Sequence, residues 1–191
     1  GSFGFGGGGG FIVKGRLTLN GATVSGNSGN DGGGIFNYEG TLTINNSTLS
    51  NNYASHFDSL YWRGGGAINN WGAMTITNSV LSGNRALGEG GAIHNYYPGE
   101  MDVRDTTFTN NEASSGGAVA NGTGAIAGIT RGTLAGNTAD GAGGGIWNNG
   151  ELTIRESTLT DNHALGGGGI TNWSRLHGIN ITLSGNTAIR S

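Results

Sequence analysis

Gly65-Gly66-Ala67-Ile68-Asn69-Asn70 recurs as Gly90-Gly91-Ala92-Ile93-His94-Asn95, as Gly116-Gly117-Ala118-Val119-Ala120-Asn121 and, one residue shorter, as Gly144-Gly145-Ile146-Trp147-Asn148. A second block answers each of them: Leu49-Ser50-Asn51-Asn52, Leu81-Ser82-Gly83-Asn84, Phe108-Thr109-Asn110-Asn111, Leu134-Ala135-Gly136-Asn137, Leu159-Thr160-Asp161-Asn162 and Leu183-Ser184-Gly185-Asn186. Self-similarity at a period of about 25 residues marks a stacked solenoid, in which each unit buries its apolar face only against its neighbours.

Between the blocks the residues alternate. In Gly40-Thr41-Leu42-Thr43-Ile44 and Gly150-Glu151-Leu152-Thr153-Ile154, Leu and Ile share one face and Thr or Glu takes the other, which is strand periodicity. Ser47-Thr48-Leu49-Ser50 and Ser157-Thr158-Leu159-Thr160 read as a second short strand, and the glycine block with its Ile or Val as a third. The expectation is therefore three strands per coil. The Asn closing the second block, at Asn27, Asn52, Asn84, Asn111, Asn137, Asn162 and Asn186, counts about seven coils. At about 4.8 Å per coil these make a rod of roughly 34 Å in which like residues stack in columns. A second Asn column follows the glycine block at Asn37, Asn70, Asn95, Asn121, Asn148 and Asn172. Both are read as structural ladders, since a buried amide bonds both backbone and the next amide.

Composition agrees with a single domain spanning residues 1–191. Forty-two glycines with one proline and no three-residue period exclude collagen, and the apolar periodicity excludes a disordered chain. There is no cysteine, so no disulfide or thiolate site holds the fold. Nine basic and twelve acidic residues give a formal charge of −3, which offers no footprint for nucleic acid or an anionic membrane. No run approaches the roughly 18 apolar residues of a membrane span, so no membrane insertion is expected.

The Gly-Gly-Ala-Ile stretches at Gly65–Ile68 and Gly90–Ile93, together with Phe-x-x-Asn at Phe108–Asn111, resemble the paired repeats of polymorphic outer membrane proteins. The resemblance covers nearly the whole chain. It implies an all-β, single-stranded right-handed parallel β-helix (a β-solenoid), export to the extracellular cell surface, and an adhesive or structural role without catalysis.

Function then lies on the outward faces. Thr23, Thr48, Thr107, Thr158 and Thr182, each followed two residues later by Ser or Thr, fall on one strand, with Val80 and Thr133 as weaker members. Such a hydroxyl array resembles the flat Thr-x-Thr faces of β-solenoid ice-binding proteins, although Thr also simply favours exposed strands. Aromatics gather beyond the glycine blocks at Phe36, Tyr38, Trp71, Tyr96, Tyr97, Trp147 and Trp173, and in the excursion after the second coil at Phe57, Tyr61 and Trp62. Exposed rings serve local packing, contact with another subunit, or stacking on a glycan.

Charges cluster in coils 4 to 6 at Glu100, Asp102, Arg104, Asp105, Arg131, Glu151, Arg155 and Glu156. Paired carboxylates are the equipment of polysaccharide-degrading enzymes, and Glu100 and Glu151 stand two coils apart, about 10 Å. A solvated network of opposite charges on neighbouring coils explains the same residues, and no catalytic residue is assigned. His56, His94, His163 and His177 make no metal-ligand spacing, and the glycine tracts lack the Lys-Ser/Thr of a phosphate loop, so no metal and no cofactor is expected.

Neither terminus reads as a cap. An uncapped solenoid exposes strand edges, and head-to-tail stacking of copies yields an open filament. The leading expectation is an extracellular structural or adhesive β-helix, a subunit of a head-to-tail surface filament or a segment of a large adhesin. Its partners are copies of itself, and glycans or a host cell surface. An ice-binding protein and a polysaccharide-degrading enzyme are the alternatives.

Overall fold

In the computed structural model, which describes residues 7–55 and 64–189, every strand pairs in parallel with its counterpart one coil away. The described residues form four seven-stranded sheets and no helix, so the chain is a right-handed parallel β-helix of about seven coils. One sheet collects the glycine-block strands, from Phe11–Val13 and Ile35–Asn37 to Ile170–Asn172. The second collects the five-residue strands, from Arg16–Asn20 and Thr41–Asn45 to Arg175–Ile179. The third holds the Thr-x-Ser/Thr strands, from Thr23–Ser25 and Thr48–Ser50 to Thr182–Ser184.

A fourth sheet corrects the expectation of three strands per coil. It runs from Ser28–Gly29, Tyr53–Ala54 and Arg85–Ala86 through Glu112–Ser115, Thr138–Ala142 and His163–Gly166 to Thr187–Ala188. Its strands are as short as two residues, too short for alternation to be visible. Their inward position is Gly29 in coil 1 and an alanine in every later coil, and Ala54, Ala86 and Ala113 form a small apolar cluster of their own.

The main core is a set of columns. Leu42, Met74, Met101, Ala127 and Leu152 stack on the second sheet beside Ile44, Ile76, Val103, Ile129 and Ile154, facing Leu49, Leu81, Phe108, Leu134 and Leu159 of the third. Ile35, Ile68, Ile93, Val119 and Ile146 of the first sheet close the triangle. All are buried, because the period-2 pattern turns every second side chain into the tube.

The corners repeat as strictly as the strands. After the second sheet every coil has one left-handed residue: Gly21, Asn46, Asn78, Asp105, Arg131, Glu156 and Asn180, with φ between 47° and 59°. The next corner alternates in a way that periodicity alone does not explain: Gly26, Asn51, Gly83, Asn110, Gly136, Asp161, Gly185, all at positive φ. Steric exclusion between coils supplies the reason. A Cβ on Gly83 would stand 2.6 Å from Asn51 Oδ1, and one on Gly136 would stand 2.8 Å from Asn110 Oδ1. Each Asn or Asp side chain leans over the glycine of the following coil, so two side chains cannot succeed one another.

Both Asn columns are continuous ladders. At the corner after the third sheet, Asn52 Nδ2 donates to Asn84 Oδ1 (3.0 Å) and to the Val24 carbonyl (2.9 Å), while the Asn52 backbone N–H donates to the same Asn84 Oδ1 (3.0 Å). The pattern repeats through Asn111, Asn137 and Asn162 to Asn186. In the second ladder Asn37, Asn70, Asn95, Asn121 and Asn148 each donate to the next Oδ1 at 2.6 to 2.9 Å, ending at Asn172. This ladder starts at Asn37 because coil 1 has Val13 there, and Asn37 Oδ1 is left without a partner.

A third ladder, of hydroxyls, escaped the sequence reading. Ser47, Ser79, Thr106 and Ser157 are buried, and each donates to the carbonyl two residues back (2.6 to 2.8 Å). Their oxygens in turn accept the N–H of the preceding coil from Ala22, Ser47, Ser79 and Gly132 respectively. Ser47 and Ser157 thus belong to the corner, and the third-sheet strands begin one residue later than expected.

Replacing Asn111 by Leu keeps the volume but orphans the Asn84 N–H, and it takes an acceptor from Asn84 Nδ2 and a donor from the Leu81 carbonyl, at roughly 1–3 kcal/mol for a buried group left unpaired. Asn111→Leu is expected to lower unfolding free energy by about 3 kcal/mol in denaturant titration. Asn110→Gly next to it should change stability by less than about 0.5 kcal/mol, because glycine already occupies that corner in alternate coils. Equal effects of the two substitutions would refute the ladder as the source of stability.

Candidate functional site

The outward threonines stand in register. Thr23, Thr48, Val80, Thr107, Thr133, Thr158 and Thr182 form one column, and Ser25, Ser50, Ser82, Thr109, Ala135, Thr160 and Ser184 run parallel to it. Thr48, Thr107 and Thr158 are half-buried, and their hydroxyls make no protein hydrogen bond among the described residues. They line a sheet with seven rungs.

On the first sheet the aromatics divide into two groups. Tyr38, Trp71 and Tyr96 occupy the position just after the Asn ladder in coils 2 to 4 and stack with centroids 6.0 and 5.5 Å apart. Lys14 lies over the Tyr38 ring at 5.4 Å, in the equivalent position of coil 1. Trp71 Nε1 donates to Asn69 Oδ1 at 3.1 Å. Phe36 and Trp147 sit within the strands and point outward, yet both are buried, which is the local packing named among the roles of these rings. Phe36 meets Trp71 edge-on at 5.4 Å. Trp147 meets Trp173 at 5.5 Å with the rings 78° apart. Trp173 and Tyr97 are the most exposed of these aromatics. Phe57, Tyr61 and Trp62 lie outside the described residues.

Among the described residues most of the clustered charges are in ion pairs, Glu100 and Arg155 excepted. Arg104 holds Asp102 on the same strand (2.9 Å), Arg175 holds Glu151 across one coil (3.0 Å), and on the fourth sheet Arg85 holds Glu112 (3.0 Å) while lying over Tyr53. At the left-handed corner the signs alternate along the axis. Arg131 donates to Asp105 through Nε (2.6 Å) and through the terminal nitrogen (2.8 Å), with Glu156 4.0 Å away on the other side. Stacking demands this order, since equivalent side chains stand one coil apart and like charges there repel. All are exposed pairs, worth little to stability.

Glu100 and Glu151 share a column, as expected, but exposed Ile126 stands between them. His163 and His177 lie on different sheets, His94 is buried in the first, and His56 lies outside the described residues. Among the described residues no group of three or more acidic or histidine side chains is placed to hold a metal, and no helix is long and apolar enough to cross a membrane.

Sequence reasoning missed one contact: His94 Nε2 lies 3.3 Å from Glu89 Oε2, both residues being buried on the outer side of the first sheet. Glu89 falls in the corner before the glycine block, where no periodic signal reaches it. No protein family, characterised protein or solved structure matches this chain. The structure bears out the parallel β-helix with its Asn ladders, and no family match supports the polymorphic outer membrane protein repeat itself.

Hydrogen bonding to Arg131 draws the Asp105 carboxyl below its ordinary range, and the same bond raises the Arg131 guanidinium. A depressed carboxylate stabilises the fold above its unfolded-state pKa and loses that contribution as pH falls through the folded value. Carbon-detected titration should find Asp105 with a midpoint below that of a model aspartate, rising to the ordinary range in Arg131→Gln. A midpoint indifferent to that substitution would remove the pairing.

Proposed function

We propose that this protein is an extracellular structural or adhesive β-helix, working as a stiff rod whose coils continue from one copy into the next as a head-to-tail surface filament. The observation that carries this reading is the match between the two end faces. On coil 7, Leu183 is 54% exposed where its counterpart Leu159 is 0% exposed, and the Asn186 backbone N–H has no ladder partner. On coil 1, Asn27 Oδ1, the atom type that accepts this N–H in every other coil, receives no hydrogen bond from the described residues, and Leu17 and Leu19 are only partly buried. One face offers donors and the other the acceptor, in the same column and the same register. A second copy added along the axis would continue all four sheets, bury the Leu183 column, and extend the ladder. Such a contact is heterologous and does not close on itself, so it propagates. A longer chain of the same repeat, as in a large surface adhesin, would use the same edge.

Light scattering and negative-stain electron microscopy test this. The protein should form rods that lengthen with concentration, and Leu183→Lys should hold it monomeric. A compact monomer at every concentration would overturn self-assembly.

The in-register Thr/Ser face favours a second reading, an ice-binding surface, because seven rungs at about 4.8 Å present free hydroxyls and methyl groups on one sheet. Purified protein should then slow or reshape ice growth, and Thr48→Tyr with Thr158→Tyr should abolish the effect. Ice crystals of unchanged habit in the presence of the unsubstituted protein would dismiss it.

A further inference from the structure

The aromatic stack on the outer side of the first sheet has a gap. Its position is filled by Tyr38, Trp71 and Tyr96 in coils 2 to 4, by Gly122 in coil 5, by Asn149 in coil 6, and by Trp173 in coil 7. Where the rings are missing, a slot of about 400 Å3 opens, a size typical of small-molecule pockets. Tyr96, Trp147 and Trp173 line it, with the two indoles nearly perpendicular, so that they form a corner. Thr123 and Asn149 lie along the rim, pinned to each other by a hydrogen bond of 2.8 Å from Asn149 Nδ2 to Thr123 Oγ1. Ser115 and the Glu89 carboxylate are the remaining polar walls, and the Glu89 side chain is only 10% exposed.

Electrostatics decide what such a slot accepts. Among the described residues Glu89 brings the lining's single formal charge, and no Lys or Arg of theirs lines the slot. Among the described residues the ionisable group beside it is His94, 3.3 Å away and charged only when protonated, and neither His94 nitrogen makes a hydrogen bond to any of them. A carboxylate withdrawn from water without a hydrogen-bonded countercharge keeps its desolvation cost, which a bound cation relieves. Aromatic faces attract the same cations through their negative quadrupole, and desolvated ring walls around a methylated ammonium are the usual form of that recognition.

We propose that this slot binds an organic ammonium ion, a quaternary or N-methylated amine, with its methyl groups against Tyr96, Trp147 and Trp173 and its charge facing Glu89. An anionic ligand would be repelled by the Glu89 carboxylate. A neutral sugar would use the rings without needing the carboxylate's charge, and this difference separates the two. The slot opens on the side of the rod, so the proposal does not rest on end-to-end assembly.

Isothermal titration with tetramethylammonium and choline tests it, with 3,3-dimethylbutan-1-ol, the uncharged isostere of choline, and cellobiose as comparators. Choline should bind saturably, and at least about tenfold more tightly than the isostere, a difference of about 1.4 kcal/mol. Glu89→Gln should remove most of that preference. Trp173→Ala, at a side chain 67% exposed and so harmless to folding, should weaken choline by about tenfold while circular dichroism and melting stay unchanged. Equal binding of choline and its isostere, binding of cellobiose in place of choline, or no saturable binding of either cation at tens of millimolar would each overturn the proposal.

Discussion

An asparagine side chain is one of few that can donate and accept along the same axis at the spacing of stacked strands. Here it does so twice per coil. In the ladder at Asn52, Asn84, Asn111, Asn137 and Asn162, one Oδ1 takes both the backbone N–H and the Nδ2 of the coil before it, while each Nδ2 also reaches a carbonyl of the neighbouring coil. These amides are buried, so every unmade bond would carry the full cost of desolvation. That penalty ties each coil to the height and register of the next, and the apolar columns inside the tube follow from it.

The corners show how tightly stacking constrains sequence. Glycine alternates with Asn or Asp from Gly26 to Gly185 because a side chain in one coil fills the space that a side chain in the next would need. Asp105, Arg131 and Glu156 alternate in sign for an electrostatic version of the same reason. The glycine block obeys backbone contact instead: a Cβ on Gly66 would strike the Gly91 carbonyl, and one on Gly91 the Gly117 carbonyl. Fold and repeat are thus consequences of one spacing, and residues free of that spacing are where individuality appears.

Individuality is concentrated on the outer side of the first sheet. Phe36, Asn69, His94, Ala120 and Trp147 occupy one outward column and share nothing but burial. The column beside it runs from Lys14 through three rings to a glycine, an asparagine and a final Trp173. A surface that departs from the repeat this far, on a tube that otherwise repeats so closely, is where recognition chemistry belongs.

The parallel coil, its seven turns and its two Asn columns were legible from the chain alone, because each is a periodic statement and periodicity survives in one dimension. The Thr column was legible for the same reason. What had no periodic trace needed the folded coordinates. The fourth sheet has strands as short as two residues with alanine inside, too little for a pattern. The hydroxyl ladder mixes Ser and Thr at a corner where such residues are common in any protein. Trp147 in sequence fits local packing or an exposed ring alike and is buried in space, since exposure depends on what neighbouring coils place above it. The slot between Tyr96 and Trp173 is the clearest case: it arises from what coils 5 and 6 omit and from a carboxylate at Glu89, and only stacking brings those coils and that corner to one place.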